Sequence, residues 1–225
     1  MPSRLRPTAS IAADAILVGD PGRALLLAQE LLEQPKMSNH ARGLWGYTGR
    51  TPAGHDLTIQ ATGMGGPSAA IVLADLVKLG VRRAIRIGTC TPIEPGMRGG
   101  ELVVVAEVVA GSGSAGSFGV EPGEAVPPDP GLRQGLLREL GGSAREGRTG
   151  SFDAMPPGPG EAVAGIVAAD MQTAAVLARA RALEIAAAAV LVVAEREPGG
   201  EHLPTEELER AAIMAGKAAA TVLSP

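Results

Sequence analysis

Aromatic residues are nearly absent from this chain of 225 residues: Trp45, Tyr47, Phe118 and Phe152 make up its whole 2%. The hydrophobic content of 45% is ample for a core, so that core must be built from Ala, Val, Leu and Ile. Such short side chains suit tight packing of helices on a sheet. Cysteine is represented by Cys90 alone, which excludes an internal disulfide and a cysteine-rich metal site and fits a cytoplasmic protein. His40, His55 and His202 are scattered without ligand spacing, so neither a metal nor any other cofactor is expected. A surplus of positive charge is also missing. The net charge of −4 gives no general attraction to nucleic acid or to an anionic membrane, so local arginines must hold any anionic ligand. No apolar run is long enough to span a bilayer: the Ala-rich stretch 183–194 is too short and contains Glu184. Asp14 interrupts the apolar residues 11–18, which therefore do not read as a secretion signal. With neither repeats nor a linker-like break, residues 1–225 read as one domain.

What is present is an alternation of short apolar runs with longer helical patterns. Ala15 to Val18 predicts a buried strand, closed by Gly19-Asp20-Pro21, and residues 23–32 then carry apolar positions on one helical face. Tyr47 to Gly49 and Leu57 to Thr62 read as paired strands around a Pro52-Ala53-Gly54 turn. Ser68 reads as the cap of a helix that runs to about Leu79 and stops at Gly80. Further strands are expected at 84–87, 102–106 and 186–193, and further helices near 131–140, 171–183 and 205–223. Residues 111–130 and 156–160 are rich in Gly, Ser and Pro and read as loops. This order argues for an α/β fold with a mostly parallel sheet, whose ligands bind at the carboxyl ends of the strands.

Two strand ends carry residues that invite chemistry. In Gly19-Asp20-Pro21-Gly22-Arg23 the glycine lets the backbone approach an anion, and Arg23 follows a turn that can aim its guanidinium at the same point. The same residues also describe an ordinary turn in which Asp20 caps a helix and Pro21 starts it. Arg86 lies inside the apolar run Ala84-Ile85-Arg86-Ile87-Gly88-Thr89-Cys90, where a charge is costly unless paired. It either bridges a buried carboxylate or meets an anion together with the Thr89 hydroxyl. Arg42, in a loop, is unremarkable by itself.

Together GDPGR at 19–23, RGLWGYTG at 42–49, TGMGGPSAAI at 62–71 and RIGT at 86–89 resemble the nucleoside phosphorylases of the purine nucleoside and uridine phosphorylase family. The resemblance is almost continuous from Ala12 to Arg86 and looser from there to the C-terminus. It implies a three-layer α/β/α domain with a mixed, mostly parallel central sheet. It also implies phosphorolysis of a nucleoside by inorganic phosphate, giving free base and ribose 1-phosphate, with no cofactor besides that co-substrate. The phosphate site would comprise Gly19, Arg23, Arg86 and Thr89, completed by Arg42 from a neighbouring subunit. The active site would thus be shared across a dimer interface, commonly within a homohexamer. Met64, Met171 and Gln172 would hold the ribose. Phe152 or Met155, with Thr91, would border the base. Glu195, catalytic together with Arg86, would protonate or hydrogen-bond the leaving base, a role that asks for a raised pKa.

The chain departs from the family at the sugar and base. Asp170-Met171-Gln172 stands where the family has Glu-Met-Glu, and Thr91-Pro92 where it has Gly-Ala. Gln172 can still bond hydroxyls but lacks the charge that strengthens such bonds. No histidine precedes His40 to serve the 5′ position; Arg4 and Arg6 stand there, as ligands of another substituent or as a solvated tail. The stretch 154–169 lacks the Gln and Arg with which uridine phosphorylases hold uracil, which favours purine. Met171 as helix packing, and Phe152 or Met155 as core, remain open readings. The alternatives are a uridine phosphorylase, and a catalytically weak homologue that binds phosphate and nucleoside.

Overall fold

The computed structural model describes residues 4–111, 113–155, 164–196 and 200–224. Its first half follows the expected alternation. β1 (Asp14–Val18) leads into α1 (Pro21–Leu31), then β2 (Glu33–Asn39), β3 (Gly46–Arg50), β4 (Asp56–Ala61) and α2 (Gly66–Lys78). The second half comprises β5 (Arg83–Pro92), β6 (Leu102–Ala110), β7 (Ala125–Val126), α3 (Pro130–Leu140), β8 (Ala144–Ser151), β9 (Ala168–Asp170), α4 (Thr173–Ala182), β10 (Ala186–Val193) and α5 (Thr205–Leu223). No helix of the described residues is long and apolar enough to cross a membrane.

All ten strands join one mixed sheet in the order β10-β6-β8-β9-β5-β1-β4-β3-β2, with β7 on β6. Parallel pairing holds the centre, where β1 lies between β4 and β5, and recurs along β6, β8 and β9. Antiparallel pairing occurs at β2–β3–β4, β5–β9, β6–β7 and β6–β10, while the longest ladders, β5–β10 and β6–β8, are parallel, so the sheet is mixed and mostly parallel as expected. A further pairing of β10 with β5 closes β10, β6, β8, β9 and β5 into a ring. The sheet is thus open at the β2 side and curled into a small barrel at the other.

Two apolar cores cover its faces. Ala15 and Leu17 of β1 pack with Val72, Leu73 and Leu76 of α2 and Ala174 and Leu177 of α4. The alternate residues Ile16 and Val18 pack with Leu27 of α1, Leu136 of α3 and Ala215 and Ala219 of α5. Each strand residue points to the opposite face from the last, so a strand covered on both sides is apolar throughout. Full burial of a side chain such as Ile16 or Ile85 contributes about 1.5–3 kcal/mol.

Helix starts obey local chemistry where the caps are acidic. Asp20 accepts the Arg23 amide at 2.8 Å with Pro21 in the first turn of α1, and Asp129 does the same for the Leu132 amide at 2.9 Å in α3. At α2 the expectation needs correcting. The helix starts at Gly66 without a side-chain cap, and the Ser68 hydroxyl donates instead to the Thr62 carbonyl at 2.6 Å. That bond ties the helix back to the end of β4.

Candidate active site

Three helices open on one cleft. β1 carries Gly19 and Asp20 to the start of α1, β4 carries Gly63 to Gly65 to that of α2, and β9 carries Asp170 to Gln172 to that of α4. Unsatisfied N–H groups and aligned peptide dipoles at these starts favour an anion, against the negative charge of the whole chain. The cleft has a volume of about 790 Å³. Gly19, Arg23, Met64, Arg86, Thr89, Thr91, Met155, Met171, Gln172 and Glu195 all line it.

The geometry of Arg86 shows the first of its two readings, a bridge to a buried carboxylate. The residue is 4% exposed, on the β5 face that points toward α4. Its Nη2 donates to Asp170 Oδ2 at 2.8 Å, Nη1 to Gln172 Oε1 at 2.6 Å and Nε to Thr173 Oγ1 at 3.1 Å. The Thr173 hydroxyl in turn donates to Asp170 Oδ2 at 2.7 Å, which closes the network. A guanidinium has five N–H groups, so two remain for a ligand in the cleft. Gly88 makes this possible: a Cβ there would lie 2.5 Å from Arg86 Nη2, because residues two apart share a strand face.

Arg23 is bound quite differently. Its guanidinium is half-buried in the cleft and makes no hydrogen bond or ion pair with a described residue. Burial pulls its pKa below the ordinary arginine value; Asp20 acts in the opposite direction and Arg86 adds to the fall. The Thr89 hydroxyl, also half-buried, likewise lacks a described partner. A cation and a hydroxyl without described partners thus line the same cleft as Arg86 and the three helix starts.

At the other end of the cleft, the Thr91 hydroxyl donates to Glu195 Oε1 at 2.9 Å. Glu195 Oε2 is buried and has no partner among the described residues. Glu195 also forms an isolated antiparallel bridge with His202, which reaches the same cleft. Met155 lies here, half-buried. Cys90 lines the wall, and burial pushes its thiol far above the usual range, with the Asp170 charge adding to the shift.

Two expected site residues do not line the cleft of this chain. Phe152 is 1% exposed and packs with Val109, Ile166 and Ala169 inside one end of the ring, so of its two readings the structure shows core, with Met155 packed against that cluster. Gly150 leaves room for that ring, since a Cβ there would stand 2.8 Å from its edge. Arg42 is exposed, adopts a left-handed backbone (φ +62°) and does not line the cleft of its own chain. Arg4 lines a separate cavity beside α2 and α4, of about 350 Å³, while Leu5 anchors the segment in the core. Among the described residues no three His, Cys, Asp or Glu side chains are grouped to hold a metal.

Residues 14–225 match the family model of the phosphorylase superfamily. The chain belongs to that superfamily. It is similar to the DeoD-type purine nucleoside phosphorylase of Geobacillus kaustophilus, 30% identical over 212 residues that cover 89% of this chain and 88% of that protein. The corresponding protein of Oceanobacillus iheyensis is 45% identical over 85 residues, covering 37% of this chain and 36% of the relative. For that of Caldanaerobacter subterraneus the figures are 41% over 95 residues, 42% and 40%. In these last two matches the aligned part therefore spans well under half of the relative. Among solved structures, the purine nucleoside phosphorylase from Toxoplasma gondii in complex with immucillin-H superposes with a TM-score of 0.83. At 22% identity over 94% of this chain and 92% of that one, the likeness concerns the fold.

In this superfamily member, sequence reasoning missed the supporting residues. Asp170 was legible only as part of a tripeptide, although a carboxylate after Val167-Ala168-Ala169 is as costly as an arginine inside a strand. Pairing the two buried opposite charges would have found the ion pair. Nothing local to Thr62 or Thr173 signals their part.

Proposed function

We propose that the cleft binds inorganic phosphate beside a purine nucleoside and transfers the ribosyl group from base to phosphate. The observation that carries this reading is the Arg23 guanidinium, without a partner among the described residues, in the same cleft as the anchored Arg86 and three helix starts. Phosphate held by Arg23, Arg86, Thr89 and the Gly19 backbone attacks C1′ as the bond to the base breaks. The anion also offsets the positive charge that develops on the sugar ring. The electron pair of the broken bond leaves with the base, and Glu195 supplies a proton or a hydrogen bond to it. Met64, 90% exposed at the rim, and Met171 form an apolar seat for the ribose. Met155 and Thr91 border the base.

Arg42 supports a shared site, with a neighbouring copy supplying it across a dimer interface in a homo-oligomer. A non-glycine residue in the left-handed region costs about 1–2 kcal/mol, which an ion pair with bound phosphate would offset. No cofactor is invoked, and the lone thiol fits a cytoplasmic setting. Purine is favoured because the relatives from Oceanobacillus iheyensis and Geobacillus kaustophilus are named for it.

The test is a screen of inosine, guanosine, adenosine, uridine and methylthioadenosine with and without phosphate. Release of a purine base that depends on phosphate is expected, and equal cleavage without phosphate overturns the reading. Arg23→Ala is expected to lower kcat/KM for phosphate by about 10- to 100-fold, the loss of one charged hydrogen-bonding partner.

A further inference from the structure

Gln172 is 3% exposed, and its amide is spent almost entirely on the protein. Oε1 accepts from Arg86 Nη1 at 2.6 Å, and Nε2 donates to the carbonyls of Gly63 at 2.5 Å and Gly65 at 3.2 Å. The remaining lone pair of Oε1 faces the Thr62 hydroxyl at 3.2 Å, which also reaches the Val18 carbonyl at 3.0 Å. An arginine only donates and a peptide carbonyl only accepts, so these partners fix which end of the amide faces which. No N–H is left for a sugar hydroxyl.

The loop it grips needs an external hold. Gly63 and Gly65 both have positive φ, +73° and +78°, and Met64 between them is exposed to solvent. Glycine backbone is free to leave such a conformation, since it has no side chain to pack. The Gln172 amide holds the Gly63 and Gly65 carbonyls, while the Ser68 hydroxyl on the Thr62 carbonyl and the Thr62 hydroxyl on the Val18 carbonyl hold the residue before them.

We propose that Gln172 is a positioning residue rather than a sugar ligand: it locks the Arg86 guanidinium to the Gly63–Gly65 loop, setting the phosphate-facing cation and Met64 relative to one another. A carboxylate cannot do this. It donates no hydrogen bond, and its charge would face two carbonyl oxygens while competing with phosphate for Arg86. The two carbonyls therefore account for an amide at 172 in this chain.

The kinetic part of the proposal rests on the phosphorolysis reading; the lock itself does not. Wild type, Gln172→Glu and Gln172→Met are compared in three ways. Gln172→Met keeps the length and burial of the side chain, so a folding loss in Gln172→Glu does not close the question. Hydrogen–deuterium exchange across 62–66 is expected to rise in both variants. Calorimetry with inorganic phosphate is expected to show about tenfold weaker binding in Gln172→Glu, the loss of roughly one charge-assisted interaction. Phosphorolysis of a ribonucleoside and its 2′-deoxy analogue is expected to fall by a common factor, because the residue touches neither sugar. Unchanged exchange overturns the lock. A gain for Gln172→Glu on the ribonucleoside alone would make residue 172 a sugar ligand and overturn the proposal too. If wild type neither binds phosphate nor cleaves any nucleoside, the phosphorolysis reading fails, while the exchange measurement still decides the lock.

Discussion

The two ends of the cleft are built to different standards. At the anion end Arg86, Asp170, Gln172, Thr173 and the Gly63–Gly65 loop form a closed hydrogen-bond network drawn from β4, β5 and β9. At the base end one hydroxyl, Thr91, holds one carboxylate oxygen of Glu195, and the other oxygen is left open. A closed network fixes geometry before a ligand arrives, which suits a co-substrate of invariant shape. An open acceptor can meet more than one partner. The departures from the family's pattern at 91–92 and at 170 and 172 fall at both ends. Thr91 bonds Glu195, and Asp170 and Gln172 bond Arg86.

The largest effect should come from cutting the network. Arg86→Ala leaves the fully buried Asp170 carboxylate without its cation and is expected to cost about 3–5 kcal/mol in chemical denaturation. Arg86→Ala/Asp170→Ala should recover much of this loss. A single variant as stable as wild type would show that the anion end is no tighter than the base end. Next comes Glu195→Gln, which is expected to lower kcat by about 10²–10⁴ while phosphate affinity stays unchanged. Weakened phosphate binding in this variant would mean that the ends are coupled rather than separate. Thr91→Val removes the 2.9 Å bond to Glu195 and should cost about 1 kcal/mol in kcat/KM for the nucleoside, with no change in stability beyond that scale.

The effect that is smallest at neutral pH concerns Cys90, on the wall of the cleft. Its folded thiol is raised far above the unfolded one, so the folded state keeps the proton that the unfolded chain loses. Stability from this group is complete below the unfolded thiol's pKa of about 8.5 and falls above it, by up to about 1.4 kcal/mol per pH unit. Denaturation curves of Cys90→Ala should lack that part of the alkaline slope. Identical slopes in the two proteins would refute it.

Strands and helices were readable where burial imposed a period. β1, β4, β5, β6 and β10 announce themselves as apolar runs, and α1, α3 and α5 as one-sided patterns. β2 and β8 did not. Glu33–Asn39 is a largely exposed edge strand with a polar sequence. Ala144–Ser151 is polar in composition, and its buried positions are Gly147, Thr149, Gly150 and Ser151, which carry little apolar signal. Gly147 is covered by Val167 and Val103, and Gly150 by Ile166 and by Phe152, the residue that follows the strand. The residues that line the cleft were legible because they are locally odd, a charge in a strand or an arginine after a tight turn. Phe152 stayed open between ligand and core because an aromatic residue next to a loop looks the same whether it faces a ligand or fills a ring of strands.

The sequence by itself determined the alternation of elements, the acidic caps of α1 and α3 and the need to satisfy a buried arginine. Each follows from groups a few residues apart, whose chemistry is complete without the rest of the chain. Only the tertiary structure decided that Asp170, 84 residues from Arg86, would be its partner, and that Gln172 would grip carbonyls 109 and 107 residues away. Those pairings depend on which strand ends the sheet brings side by side. That order is set by packing over the whole molecule, and no local period records it.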